Sequence, residues 1–171
     1  MPPRHTPLTS PLLICLWLST TIGQARAFER LDDSASPRQH IAAVQALDEN
    51  GRPLASSLGA RQALIHYGRI EVRLNTAPYL GQRARIYGVL PPMLPGVLTP
   101  TALRLSWRGG RLFDSGQLRP DEPALVWAGI VTTPVMSDSL DLRVLLDLQQ
   151  VQLQQGQLPN AALRFEIEVL P

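Results

Sequence analysis

Lysine is absent from this chain, cysteine occurs once and histidine three times in 171 residues. Each shortage closes off some chemistry. A lone cysteine, Cys15, leaves no intramolecular disulfide, so burial alone must hold the fold together. His40 and His66, the two histidines outside the N-terminal leader described below, make a poor transition-metal set without cysteine beside them. There is no G-x-S-x-G elbow, phosphate loop or dinucleotide fingerprint. The acids around Ser137–Asp141 lack the spacing and the central glycine of a calcium loop. We therefore expect no enzyme, no cofactor and no metal, with His66 as an ordinary half-buried histidine; an unrecognised hydrolase dependent on His40 or His66 is the least favoured alternative.

Long apolar runs are also missing. A membrane helix needs about 20 mostly apolar residues, and Leu12–Leu18 is far shorter. Preceded by Arg4 and followed by the small-residue pattern Ala25-Arg26-Ala27, it reads as a cleavable signal peptide over 1–27. Ile14 precedes Cys15 inside the apolar core, which is the wrong setting for lipid attachment, so Cys15 is expected to leave with the leader. The expected location is the bacterial periplasm or the exterior, with no transmembrane segment in the mature chain.

Removing the leader also removes Arg4 and Arg26, so fourteen arginines then balance fourteen acids. A nucleic-acid binder keeps a basic excess, so nucleic acid is not an expected partner. The charges are unevenly spread. Nine arginines lie between Arg61 and Arg119 against Glu71 and Asp114, whereas seven acids follow Pro120 against Arg143 and Arg164. Cross-strand neutralisation is the simplest use of that asymmetry. An anion-attracting face is the rival.

What the sequence does have is a period of two. Ile70, Val72 and Leu74 alternate with charged or polar neighbours, as do Leu103, Leu105 and Trp107. Leu140 to Leu148 and Leu163 to Val169 behave likewise, and Arg83–Leu90 is a less regular strand. Ala124–Val131 is apolar throughout and reads as a central strand covered on both faces. Gly109-Gly110 suits a two-residue hairpin, which would set Arg108 opposite Arg111. Ser137-Asp138-Ser139 and Pro120–Pro123 read as breaks. Gln149–Asn160 reads as a polar strand extension running into a turn. The expected fold is mainly β: one antiparallel β-sandwich of immunoglobulin-like architecture over 37–171 after a flexible 28–36. Within 37–51 a helix capped by Ser36 is the preferred reading, and a hairpin turn at Asp48–Gly51 is its rival.

The charge-free stretch Ile86–Leu103 carries Pro91, Pro92, Pro95 and Pro100, which forbid a helix and remove sheet donors. It reads as a preorganised loop presenting Met93, Leu94, Val97 and Leu98, either as a cap on the core or as a contact surface. With Arg108 and Arg111, these are the candidate partner-binding residues. The expected role is contact with another envelope protein, as an accessory or structural part of a surface assembly such as a fimbrial system. The alternative is a small-molecule or glycan-binding module that takes an anionic ligand on the arginines, with Trp107, Trp127 and Tyr87 in support. N-terminal sequencing of the exported protein should begin at Phe28; retention of Met1 would overturn the leader reading.

Overall fold

The computed structural model describes residues 28–37, 43–152 and 163–171. Among the described residues there are nine strands: β1 (Glu29–Arg30), β2 (Gln45–Asp48), β3 (Gln62–Asn75), β4 (Arg83–Val89), β5 (Leu103–Arg108), β6 (Gly116–Leu118), β7 (Ala124–Ile130), β8 (Val135–Asp147) and β9 (Arg164–Val169). They form two antiparallel sheets, ordered β1-β9-β4-β7 and β2-β3-β8-β5-β6. Among the described residues the only helical pieces are single 3₁₀ turns. One apolar cluster draws on both sheets, including Ala84, Ile86, Phe165 and Ile167 from the first and Ile65, Leu74, Leu105, Leu140 and Val144 from the second. The chain is thus mainly β, with a sandwich-like arrangement of two sheets. Residues 1–27, read above as a signal peptide, lie outside the described residues, as do His40 and most of the glutamine-rich segment.

The two-residue period places most of the core. Leu103, Leu105 and Trp107 are buried, as are Leu140, Leu142, Val144 and Leu146. Arg83–Leu90 is more regular than its sequence suggests, with Ala84, Ile86, Gly88 and Leu90 all inward. In β3 the buried residues switch from odd positions, Ala63 and Ile65, to even ones, Val72 and Leu74. The β3–β8 register slips between His66 and Gly68, so Tyr67 is an extra residue opposite β8. One such insertion flips every later side chain to the other face. Gly68, at φ +73°, supplies the left-handed conformation at the slip.

Several expectations need correction. Where a helix was preferred, residues 45–51 form β2 and a tight turn, with residues 38–42 outside the described set. Gly51 at φ +78° donates its N–H to the Asp48 carbonyl at 3.0 Å. Ser36, the expected helix cap, instead accepts the Arg73 N–H at 2.8 Å and donates to the Arg73 carbonyl at 3.1 Å. The polar segment 28–36, expected to be loose, is tied down. Glu29 and Arg30 pair with β9, Leu31 is buried and donates to the Phe165 carbonyl, and Asp32 bridges Asn75. Ser137–Ser139 lies within β8 rather than breaking it. A 3₁₀ turn at Leu148–Gln150 replaces the start of the expected strand extension. The largest correction concerns Ala124–Val131. Its strand, β7, lies at the edge of its sheet, and Leu125 and Ile130 are 43% and 55% exposed.

Asp48 organises the β2 turn. Its carboxylate accepts from the main-chain N–H groups of Asn50 and Arg52, from the Ser57 hydroxyl and from Arg52 Nε. The Arg52 N–H and the Ser57 hydroxyl lead the effects that outweigh burial and lower its pKa from 3.8 to about 2. A depressed carboxyl stabilises the fold above its unfolded value, and that contribution is lost as pH falls through about 2. Asp48→Asn should therefore be less stable than wild type at neutral pH. In denaturant titrations the gap should close on acidification to about pH 2; a gap independent of pH would refute the assignment.

Candidate functional site

Asp138 stands in phase with Met136 and Leu140 on the inward side of β8, an unusual place for an acid. Its carboxylate receives main-chain N–H groups from Arg111, Leu112, Phe113 and Ser139, at 2.8–3.1 Å. Burial opposes ionisation. The N–H donors of Phe113, Leu112, Arg111 and Ser139 together outweigh it and hold the carboxyl below its usual range. The result is a folded loop over 109–115 in place of the expected two-residue hairpin, with Trp107 and Gly116 as its closing pair. Phe113 is driven into the core and stacks on Phe165 at 6.4 Å.

Both glycines are required by close approach. A Cβ on Gly109 would lie 1.7 Å from the Phe113 carbonyl oxygen, and one on Gly110 would lie 2.2 Å from Asp138 Oδ1. The long loop also separates Arg108 from Arg111. Arg108 ends β5 opposite Asp141, while Arg111 is exposed and engages Asp138 only through its main chain.

Where β5 and β8 meet the 109–115 loop, Ser106, Trp107, Arg108, Ser115, Asp141 and Arg143 line a groove of about 190 Å³. The strand register builds it. Arg69, Asp141 and Arg108 form one row across β3, β8 and β5, and His66, Arg143 and Ser106 form the next. Ser115 Oγ accepts the Gly109 N–H at 3.0 Å.

The proline-rich loop divides its apolar residues. Leu94 is buried and Val97 packs against the core, whereas Met93 is 86% and Leu98 57% exposed. Val97 bridges Val151, Leu98 donates to the Gln150 carbonyl and Gln152 to that of Gly96. The loop is both cap and surface: Leu94 and Val97 serve the first role, Met93 and Leu98 the second.

The aromatic candidates all make packing contacts, and Trp107 also lines the groove. Trp107 is buried and its Nε1 donates to the Asp114 carbonyl at 2.7 Å. Trp127 is half-buried against the core, in space that Gly129 leaves open. Tyr87 donates its hydroxyl to Glu168 at 3.0 Å and meets Phe28 edge-on, with ring centroids 5.4 Å apart. Glu168 is buried and also faces Arg85 Nη1 at 3.9 Å.

The sequence passes over two features that the structure brings forward. One is Asp138, whose signal is an acid in phase with apolar neighbours. The other is β7, the longest of the four edge strands: β1, β2 and β6 have two, four and three residues, and β7 has seven. Gly110→Ala should cost about 1–3 kcal/mol in chemical denaturation by displacing Asp138 from its donors. Arg111→Ala should change stability by no more than about 0.5 kcal/mol, because only its main chain is used. Equal losses in the two variants would refute this account of the loop.

Comparison of the sequence with protein-family models and with curated proteins, and of the structure with solved structures, finds no match.

Proposed function

We propose that the chain is an exported, immunoglobulin-like β-sandwich of the bacterial envelope that works by binding another protein, whose extended segment adds to the edge of β7 that pairs with no other strand among the described residues. The observation that carries this reading is the composition of that edge. Natural sheets protect exposed edges with short strands, charges or proline. β1, β2 and β6 follow the first rule, but β7 (ALVWAGI) is seven residues long and has neither charge nor proline.

Backbone geometry says which groups are open. Val131 exchanges hydrogen bonds with the β4 side, donating to Gln82 at 2.9 Å and accepting from Gly81 at 2.8 Å. By the two-residue alternation of an antiparallel ladder, Ala128 and Ile130 aim their N–H and C=O groups away from β4. Nearer the start of the strand, the Val126 carbonyl is already taken by the Asp114 N–H at 2.8 Å. Strand addition therefore centres on 128–130, with main-chain bonds giving affinity and the exposed Leu125 and Ile130 side chains giving apolar contact. Exposed Met93 and Leu98 offer a further apolar contact on the loop that follows β4. Export would bring the chain to such a partner, and the leader pattern at 1–27 supports it.

Hydrogen exchange tests the edge without a partner in hand. The Ala128 and Ile130 amides should exchange much faster than those of Trp127 and Gly129, and should become protected on binding. Cross-linking from the β7 edge should join it to an extended peptide, and Ile130→Lys should weaken that association about tenfold or more while leaving the fold intact. Equal protection of all four amides in the isolated protein, or association indifferent to Ile130→Lys, would overturn the proposal.

A further inference from the structure

We propose that the groove between β5 and β8 binds a single oxyanion group: a carboxylate, sulfate or phosphate carried by a ligand whose remainder stays outside. The site lies on the sheet that does not contain β7, so it is independent of the strand-addition reading.

Charge is the first argument. The register gathers Arg69, Arg108 and Arg143 around one acid, Asp141, leaving the cluster two charges positive. Among the described residues, ion pairs within 4.0 Å are made by Arg52, Arg73 and Arg85, and none by these three arginines. Arg108 and Arg143 lie on neighbouring strands, diagonally across the Arg108–Asp141 and Ser106–Arg143 pairs. Like charges at such spacing repel, and an anion between them removes the repulsion. Guanidinium groups suit oxyanions because their planar donors match paired oxygens.

Size is the second. A volume of about 190 Å³ is many times the roughly 10–15 Å³ that admits one water. It is below the roughly 300–1,000 Å³ of pockets that enclose a whole small molecule. One anionic group fits in such a groove.

Donor chemistry is the third. Ser115 Oγ uses its lone pair on the Gly109 N–H, which leaves its own proton to donate to a ligand oxygen. Ser115 and Arg108 flank the loop that Asp138 fixes, so the folded loop holds part of the groove in place before any ligand arrives. Asp141, by contrast, competes with the ligand for the same arginines, which gives the site a distinctive signature.

Isothermal titration of the purified protein at low ionic strength, with inorganic phosphate, sulfate and a monomeric uronate as separate probes, tests the assignment. At least one probe should bind saturably at one site. Arg108→Gln and Arg143→Gln should each weaken that binding about tenfold, Asp141→Asn should tighten it, and Arg111→Gln should leave it unchanged. Response to uronate assigns a carboxylate ligand, and response to phosphate or sulfate a tetrahedral one. Absence of saturable binding, persistence in both groove variants, an equal loss in Arg111→Gln, or weaker binding in Asp141→Asn would overturn the proposal.

Discussion

One inserted residue controls which side chains of β3 face the core. β8 runs from Val135 to Asp147 with its apolar residues in constant phase, but β3 changes phase halfway along. Without Tyr67 as the extra residue at the slip, either Ala63 and Ile65 or Val72 and Leu74 would face water. Burying a residue such as Leu or Val contributes about 1.5–3 kcal/mol, so misplacing either pair would consume much of a typical domain's net stability. The same slip sets Arg69 opposite Asp141 and His66 opposite Arg143. The buried residues of β3 and the pairing of Arg69 with Asp141 are therefore consequences of a single register.

The fold was legible where alternation was strict and one face was wet. β5 and most of β8 could be read from residue types alone, because a half-buried strand writes its two faces into successive positions. The start of β3 could not. An observer following the phase of Ile70, Val72 and Leu74 backwards meets the slip at Tyr67 and loses the strand there. β2 failed for a different reason: Ser36, Pro37 and Gly51 are good helix punctuation, but local propensity is a weak prior that tertiary pairing overrides. Here Gln45–Asp48 pairs with Ala63–His66, and Ser36 satisfies the main chain of Arg73 instead of a helix end.

β7 shows that hydrophobicity reports burial only when something is present to do the burying. Ala124–Val131 has the composition of a central strand, and Val126 and Val131 are indeed buried. Leu125 and Ile130, by contrast, sit exposed on a strand with no further strand beside it among the described residues. The proline-rich loop behaves in a parallel way, sending Leu94 inward and leaving Met93 outside. In both segments the sequence signal was correct about apolar character and silent about which neighbour would cover it. A partner chain is one physical resolution of that mismatch.

The arginines carry the remaining lesson, because their grouping depends on a loop that no local pattern revealed. Read as a tight hairpin, Gly109-Gly110 would oppose Arg108 to Arg111. In the structure those glycines let the chain pass close to Asp138 and the Phe113 carbonyl, and the longer loop carries Arg111 away. Arg108 is then left to Asp141 and Arg143 across β8. An acid in the inward phase of β8 thus decides which arginines meet on its outward face. Asp138 keeps its charge because four main-chain donors converge on it, and that convergence fixes the loop whose ends flank the groove. The acid gathers no ligand itself. It determines where one could be gathered, which is why a search for binding residues by type alone would find the arginines and miss what positions them.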